Sequence, residues 1–242
     1  MGALAHYIEQ EGIPTTQISL IRDHTERIRP PRALWVPFEL GRPLGEPGDA
    51  GFQTRVLRAA LQLVTRSDAP VLLDFPDDAP GARRPEDEAG WSCPLPLPPR
   101  EEPTDLAEAF RRELAGLLTW YALSLERRGR TTVGLAGLEP KDLGDFLSAF
   151  AGEGLPESPS EDVPLAVAFK HATADLKALY GEAALAKPAS PRPNGAELGR
   201  WFWNDTHAGA FLQALSRQLG QGDDPSLQLI ARAMLVPVAQ RG

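Results

Sequence analysis

Apolar residues along the first third of the chain alternate between helical and extended spacing. Leu4, Ala5 and Ile8 fall on one helical face of residues 3–11, and Gly12-Ile13-Pro14 stops that helix. Thr15–Ile21 is a β-prone run with Ile18, Leu20 and Ile21 apolar. The polar stretch Arg22–Arg29 predicts a short helix capped near Asp23, ended by Pro30 and Pro31, which lack the N–H a continuing helix needs. Arg32–Phe38, with Ala33, Leu34, Trp35, Val36 and Phe38, reads as a buried strand. Gly41–Gly48 is a Gly- and Pro-rich loop. After it, Asp49 is an N-cap candidate for an amphipathic helix with Phe52, Val56, Leu57, Ala60, Leu61 and Val64 at spacings of three and four. This order predicts a layered α/β segment, a short parallel sheet with flanking helices.

The pattern then changes. Residues 76–103 are dense in proline and charge, which predicts a stiffened linker or extended arm. From Thr104 onward the spacing is helical throughout. Helices are expected over 105–128, 140–151, 163–186, 194–219 (two, or one bent) and 225–236. The expected organisation is an α/β segment over 1–75, a linker over 76–103 and an all-α helical bundle over 104–242.

Composition narrows the function classes. The 242 residues are 42% hydrophobic and 24% charged, enough apolar material for a sizeable core. A formal charge of −8 argues against a general binder of nucleic acid or anionic membranes, both of which need a positive field. The one cysteine, Cys93, excludes an intramolecular disulfide. No basic, then apolar, leader is visible and no run is long enough to cross a bilayer, so a cytoplasmic protein is expected.

Candidate chemistry is sparse. His6, His24, His171 and His207 lack a His or Cys at ligand spacing, so neither a metal site nor a cofactor is expected. Gly41, Gly45 and Gly48 match no nucleotide-binding fingerprint. Their loop nevertheless joins a strand to a helix, where α/β folds place ligands, and Arg42 could bind a carboxylate there. The same glycines also suit a tight connection that needs positive φ. Arg22 and His24 follow another strand on the same expected edge; they could act on a ligand or simply cap a short helix. Cys93 has no activating neighbour in sequence, and Trp201-Phe202-Trp203 reads as a plug of the bundle or, alternatively, as a partner-docking anchor.

Gly12-Ile13-Pro14-Thr15, the run to Ile21, and Arg32–Pro47 with its Pro43-Leu44-Gly45-Glu46-Pro47 element together resemble the selenoprotein B family. These are the substrate-specific subunits of glycine, sarcosine and betaine reductase, with the related D-proline reductase subunit. The resemblance covers about residues 2–66 and the C-terminal end of the longer family subunit. It implies reductive cleavage of a C–N bond in a small amino-acid or betaine-like substrate, by a selenol or thiol. It also implies that Gly41, Arg42, Gly45 and Gly48, with Arg22 and His24, form the substrate side of the site. The family's redox residue precedes the first helix, and here no cysteine precedes position 93. Three readings follow: a redox residue encoded upstream of Met1, a redox residue on a partner reductase subunit, or a descendant that binds the ligand without reducing it.

Overall fold

The structure, a computed structural model, describes residues 2–79, 91–95, 105–152, 154–187 and 193–240. It forms two compact units, Met1–Ala89 and Gly90–Gly242.

In the first unit, helix α1 (Gly2–Gln10) leads into strand β1 (Gln17–Ser19), helix α2 (Arg22–Ile28), strand β2 (Arg32–Trp35), helix α3 (Ala50–Gln62) and strand β3 (Val71–Asp74). The three strands are parallel in the order β1-β2-β3, with Ile18 opposite Leu34 and Leu34 opposite Leu73. Alternation along the strands sends Ile18, Leu34, Val36 and Val71 to one face. There they pack with Phe52, Val56 and Ala60 of α3. Phe38, Phe52 and Phe75 meet with ring centroids 5.4–5.9 Å apart and close this core. The other face carries Ser19 and Asp74, which are hydrogen-bonded to Thr25 and Arg22 of α2. Asp49 caps α3 as its sequence suggests, its carboxylate accepting the Phe52 N–H at 2.9 Å.

Two details depart from the expected pattern. β3 is a third strand; its three apolar residues, followed by Asp74, are too short a run to show a period. Leu57 and Leu61 of α3 point outward, 44% and 63% exposed, because the stripe Phe52–Val56–Ala60–Leu63 alone faces the sheet.

The second unit is helical: α4 (Leu106–Arg128), α5 (Leu143–Ala149), α6 (Leu165–Ala184), α7 (Gly195–Asp205), α8 (His207–Leu219) and α9 (Pro225–Ile230), which runs into a π-helical turn at Ala231–Leu235. Residues 194–219 are two helices because Thr206, in an extended conformation, ends one and caps the next. Asn194 and Glu197 form a reciprocal capping box at the start of α7. Phe110, Phe169, Leu176, Tyr180 and Leu212 are fully buried at the centre.

The expected linker lies largely outside the described residues, which omit 80–90 and 96–104. Of its described parts, Ala79 packs on the first unit's core. Trp91, Cys93 and Leu95 pack on the second unit's core, Trp91 meeting the Trp201 ring edge-on at 6.3 Å.

Candidate ligand-binding site

Parallel α/β sheets take ligands at the carboxyl ends of their strands, where loops and helix starts converge. In the first unit that edge is formed by Leu20–Ile21 after β1, the loop Val36–Asp49 after β2, and Phe75 after β3. The three strands follow one another without reversal, so these strands alone make no topological switch point and no crevice of that kind.

Gly41, Gly45 and Gly48 all have positive φ, between 80° and 90°. At Gly45 the reason is double: an added Cβ would also sit 2.8 Å from the Phe52 ring. Gly41 and Gly48 face open space, and only their backbone conformation requires glycine. The loop is cross-linked internally. The Arg42 N–H donates to the Glu39 carbonyl at 2.9 Å, and the Gly45 N–H to the Arg42 carbonyl at 3.0 Å. The Gln53 amide nitrogen donates to the Glu46 carbonyl at 2.9 Å, tying the loop to α3.

The Arg42 guanidinium already has partners: it pairs with Glu46 and lies 3.7 Å from a Glu39 oxygen. Both carboxylates belong to its own loop, and all three side chains are well exposed. Arg22 is likewise engaged, with Glu26 one turn on and with Asp74 at 3.2 Å. The second pair joins the start of α2 to the end of β3, on the expected edge. His24 is exposed, and its side chain has no hydrogen bond among the described residues. The structure thus places the four loop residues together and Arg22 beside β3, without a described contact between the two groups.

Three buried, hydrogen-bonded carboxylates lie in the helical unit, and sequence reasoning did not select them. Glu113 of α4 is fully buried. It accepts hydrogen bonds from the Tyr180 hydroxyl at 2.8 Å, from the His207 and Ala208 amides at 2.9 and 3.1 Å, and contacts His207 Nδ1 at 3.0 Å. The carboxylate therefore sits on the first turn of α8, satisfying amides that a helix start leaves free. Burial, then the Glu113 charge, pushes the Tyr180 phenol well above its ordinary range. Asp175 of α6, also fully buried, accepts the amides of Gly134, Leu135 and Ala136 at 2.9–3.0 Å. Two turns further along, Glu182 accepts the amide and hydroxyl of Thr132 at 2.9 and 3.0 Å. These carboxylates anchor a loop and a helix start; both oxygens of Glu113 and of Asp175 are engaged inside the unit, whereas Glu182 Oε2 has no hydrogen-bond partner among the described residues.

Cys93 is partly buried against the helical core, and burial pushes its thiol above the ordinary range, with the Asp205 charge adding to that. Such a thiol is a poor nucleophile at neutral pH. His171 lies at the edge of the core, as its position on an apolar face suggests. Trp201, Phe202 and Trp203 are all nearly buried and plug the bundle, so they cannot serve as an exposed docking anchor. Among the described residues, no three His, Cys, Asp or Glu side chains are grouped to hold a metal ion. None of the described helices is long and apolar enough to cross a membrane.

What the fold defines is a two-unit chain, a three-stranded parallel α/β unit and a helical bundle. Comparison with family models, curated proteins and solved structures finds no match.

Proposed function

We propose that the chain is the ligand-holding member of a cytoplasmic reductase system that cleaves a C–N bond, similar to the selenoprotein B and D-proline reductase subunits, with the thiol or selenol supplied by another chain. The observation that carries this reading is the Arg42 loop at the carboxyl end of the central strand β2, with the Arg22–Asp74 pair at the same edge of the sheet. A small amino acid or betaine would enter there by its carboxylate, displacing Glu46 or Glu39 from Arg42. Exposed ion pairs of this kind are worth only about 0–1 kcal/mol, so the exchange is cheap. The reductant is assigned to another chain because the one thiol, Cys93, is partly buried, and burial raises its pKa and makes it a poor nucleophile.

Calorimetric titration of the full chain with glycine, sarcosine, betaine and D-proline tests this reading. At least one should bind, and Arg42→Ala should weaken that binding about tenfold, the loss of one charge-assisted contact. Arg42→Ala should leave the thermal transition within about 1 kcal/mol of the parent, because the pairs it removes are exposed. Failure of all four ligands to bind overturns the assignment. Turnover of any of them by the purified chain with dithiothreitol alone would overturn the claim that the thiol comes from elsewhere.

A further inference from the structure

The first unit has a second concave surface at the opposite end of its sheet, centred on Arg29. A cavity of about 580 Å³ is lined by His6, Glu9, Gln10, Arg29, Pro31, Ala69 and Pro70, beside the starts of β2 and β3. A smaller one of about 270 Å³ runs on between α2 and β3, and shares Arg29 and Pro70. The larger is within the size range of small-molecule sites.

Two properties of Arg29 bear on this groove. It ends α2 in the left-handed region, at φ 51° and ψ 57°, and no other described non-glycine residue has positive φ. Glycine is the usual occupant of such a helix end, since it meets no Cβ penalty there. An arginine at this position is a strained choice that its backbone role does not explain. Second, no described side chain or carbonyl pairs with its guanidinium. Arg27 and Arg58 likewise have no described side-chain partner but line neither cavity, whereas Arg22 and Arg32 are engaged by carboxylates.

The lining also selects the ligand. Glu9, the one carboxylate in the larger cavity, is consumed by the Thr15 amide and hydroxyl and by Arg32. In the smaller cavity Glu26 is held by Arg22. No free carboxylate is left to receive an ammonium group, so the groove suits an anion rather than a zwitterion. Pro31, Ala69 and Pro70 supply the apolar part of the larger cavity's lining. We propose that this groove binds a small organic monocarboxylate, with its charge on Arg29, the His6 and Gln10 side chains as neighbouring donors, and its apolar body against Pro31, Ala69 and Pro70. The larger cavity lies at the end of the sheet away from the Arg42 loop and shares no residue with the reductase reading, from which the proposal stands independently; the smaller cavity reaches Arg22.

The test is titration of the full chain with butyrate, benzoate and inorganic phosphate, followed by calorimetry and by saturation-transfer NMR of the ligand. Butyrate or benzoate should bind saturably, and Arg29→Gly should weaken that binding at least about tenfold, the equivalent of one bidentate charge-assisted contact. This variant suits the backbone at φ 51°, so its thermal transition should equal or exceed the parent's, which separates lost binding from lost folding. Arg27→Ala, an exposed arginine of the same helix outside both cavities, should leave binding unchanged. Absence of saturable binding, equal binding by Arg29→Gly, or preference for phosphate over both carboxylates would each overturn the proposal.

Discussion

The two units place their charged side chains in opposite ways. In the helical unit, Glu113 and Asp175 are buried with both carboxylate oxygens engaged, by backbone amides of distant segments and, for Glu113, also by the Tyr180 hydroxyl. In the α/β unit the arginines of the candidate site stand on the surface, in pairs with local glutamates and aspartates. A buried, fully hydrogen-bonded carboxylate fixes geometry, because losing any partner strands a polar group without water. Exposed pairs exchange readily. The contrast therefore assigns rigidity to the helical unit and ligand exchange to the α/β unit, although the helical unit holds the denser polar cluster.

The sharpest way to break that comparison is to remove Glu113. Glu113→Ala leaves the Tyr180 hydroxyl and two amides at the start of α8 without an acceptor in a fully buried space. Each orphaned group costs roughly 1–3 kcal/mol, so a loss of about 3 kcal/mol or more is expected. Amide hydrogen exchange read by mass spectrometry on the full chain would localise it. Protection should fall across α4, α6 and α8 while β1–β3 keep theirs. Equal loss in β1–β3 would show that the two units do not unfold separately.

How much of this was readable in advance depended on the range of the interaction. The α/β order, the cap at Asp49 and the helices of the second half follow from local spacing, and all are present. β3 was hidden because the three apolar residues Val71–Leu73 carry no period that separates strand from helix. The buried carboxylates were hidden for a different reason. Glu113 sits within the apolar stripe Phe110–Leu114–Leu117, yet its donors lie on residues 180, 207 and 208. Only tertiary structure brings them together. Arg42 was readable in both senses: Glu39 and Glu46 stand three and four residues away, within reach of a local pair. Leu57 and Leu61 extend the apolar pattern of α3 beyond the face that three short strands can cover.

A smaller effect tests whether the loop glycines serve conformation or close packing. Gly48→Ala forces a side chain into positive φ with open space around it, which should cost about 1 kcal/mol. Gly45→Ala carries the same penalty and a 2.8 Å clash with the Phe52 ring, so about 2–3 kcal/mol is expected. Urea unfolding followed by exchange in α3 would rank the two. Equal costs would mean that the aromatic trio Phe38–Phe52–Phe75 yields easily, and that the loop is less firmly seated than its contacts imply.

The smallest effect concerns Glu9, the least exposed ion-pair partner of the α/β unit apart from Arg32 itself. Burial alone would raise its pKa; hydrogen bonds from the Thr15 hydroxyl and amide and from Arg32 outweigh that and hold it below the ordinary 4.5. The folded carboxyl thus releases its proton more readily than the unfolded one, and between the two pKa values the unfolded chain binds more protons. The resulting stabilisation is fully present above about pH 4.5 and is lost as pH falls through the lower, folded value. Glu9→Gln should lower the unit's stability at pH 7 and flatten its decline below pH 4.5. Exchange protection of β2, measured at both pH values against α6 as an internal reference, reads this directly. A parallel decline in parent and variant would mean that the Arg32–Glu9 pair behaves like the exposed pairs around Arg42, and that this unit has no buried ionic anchor of the kind Glu113 supplies to the other.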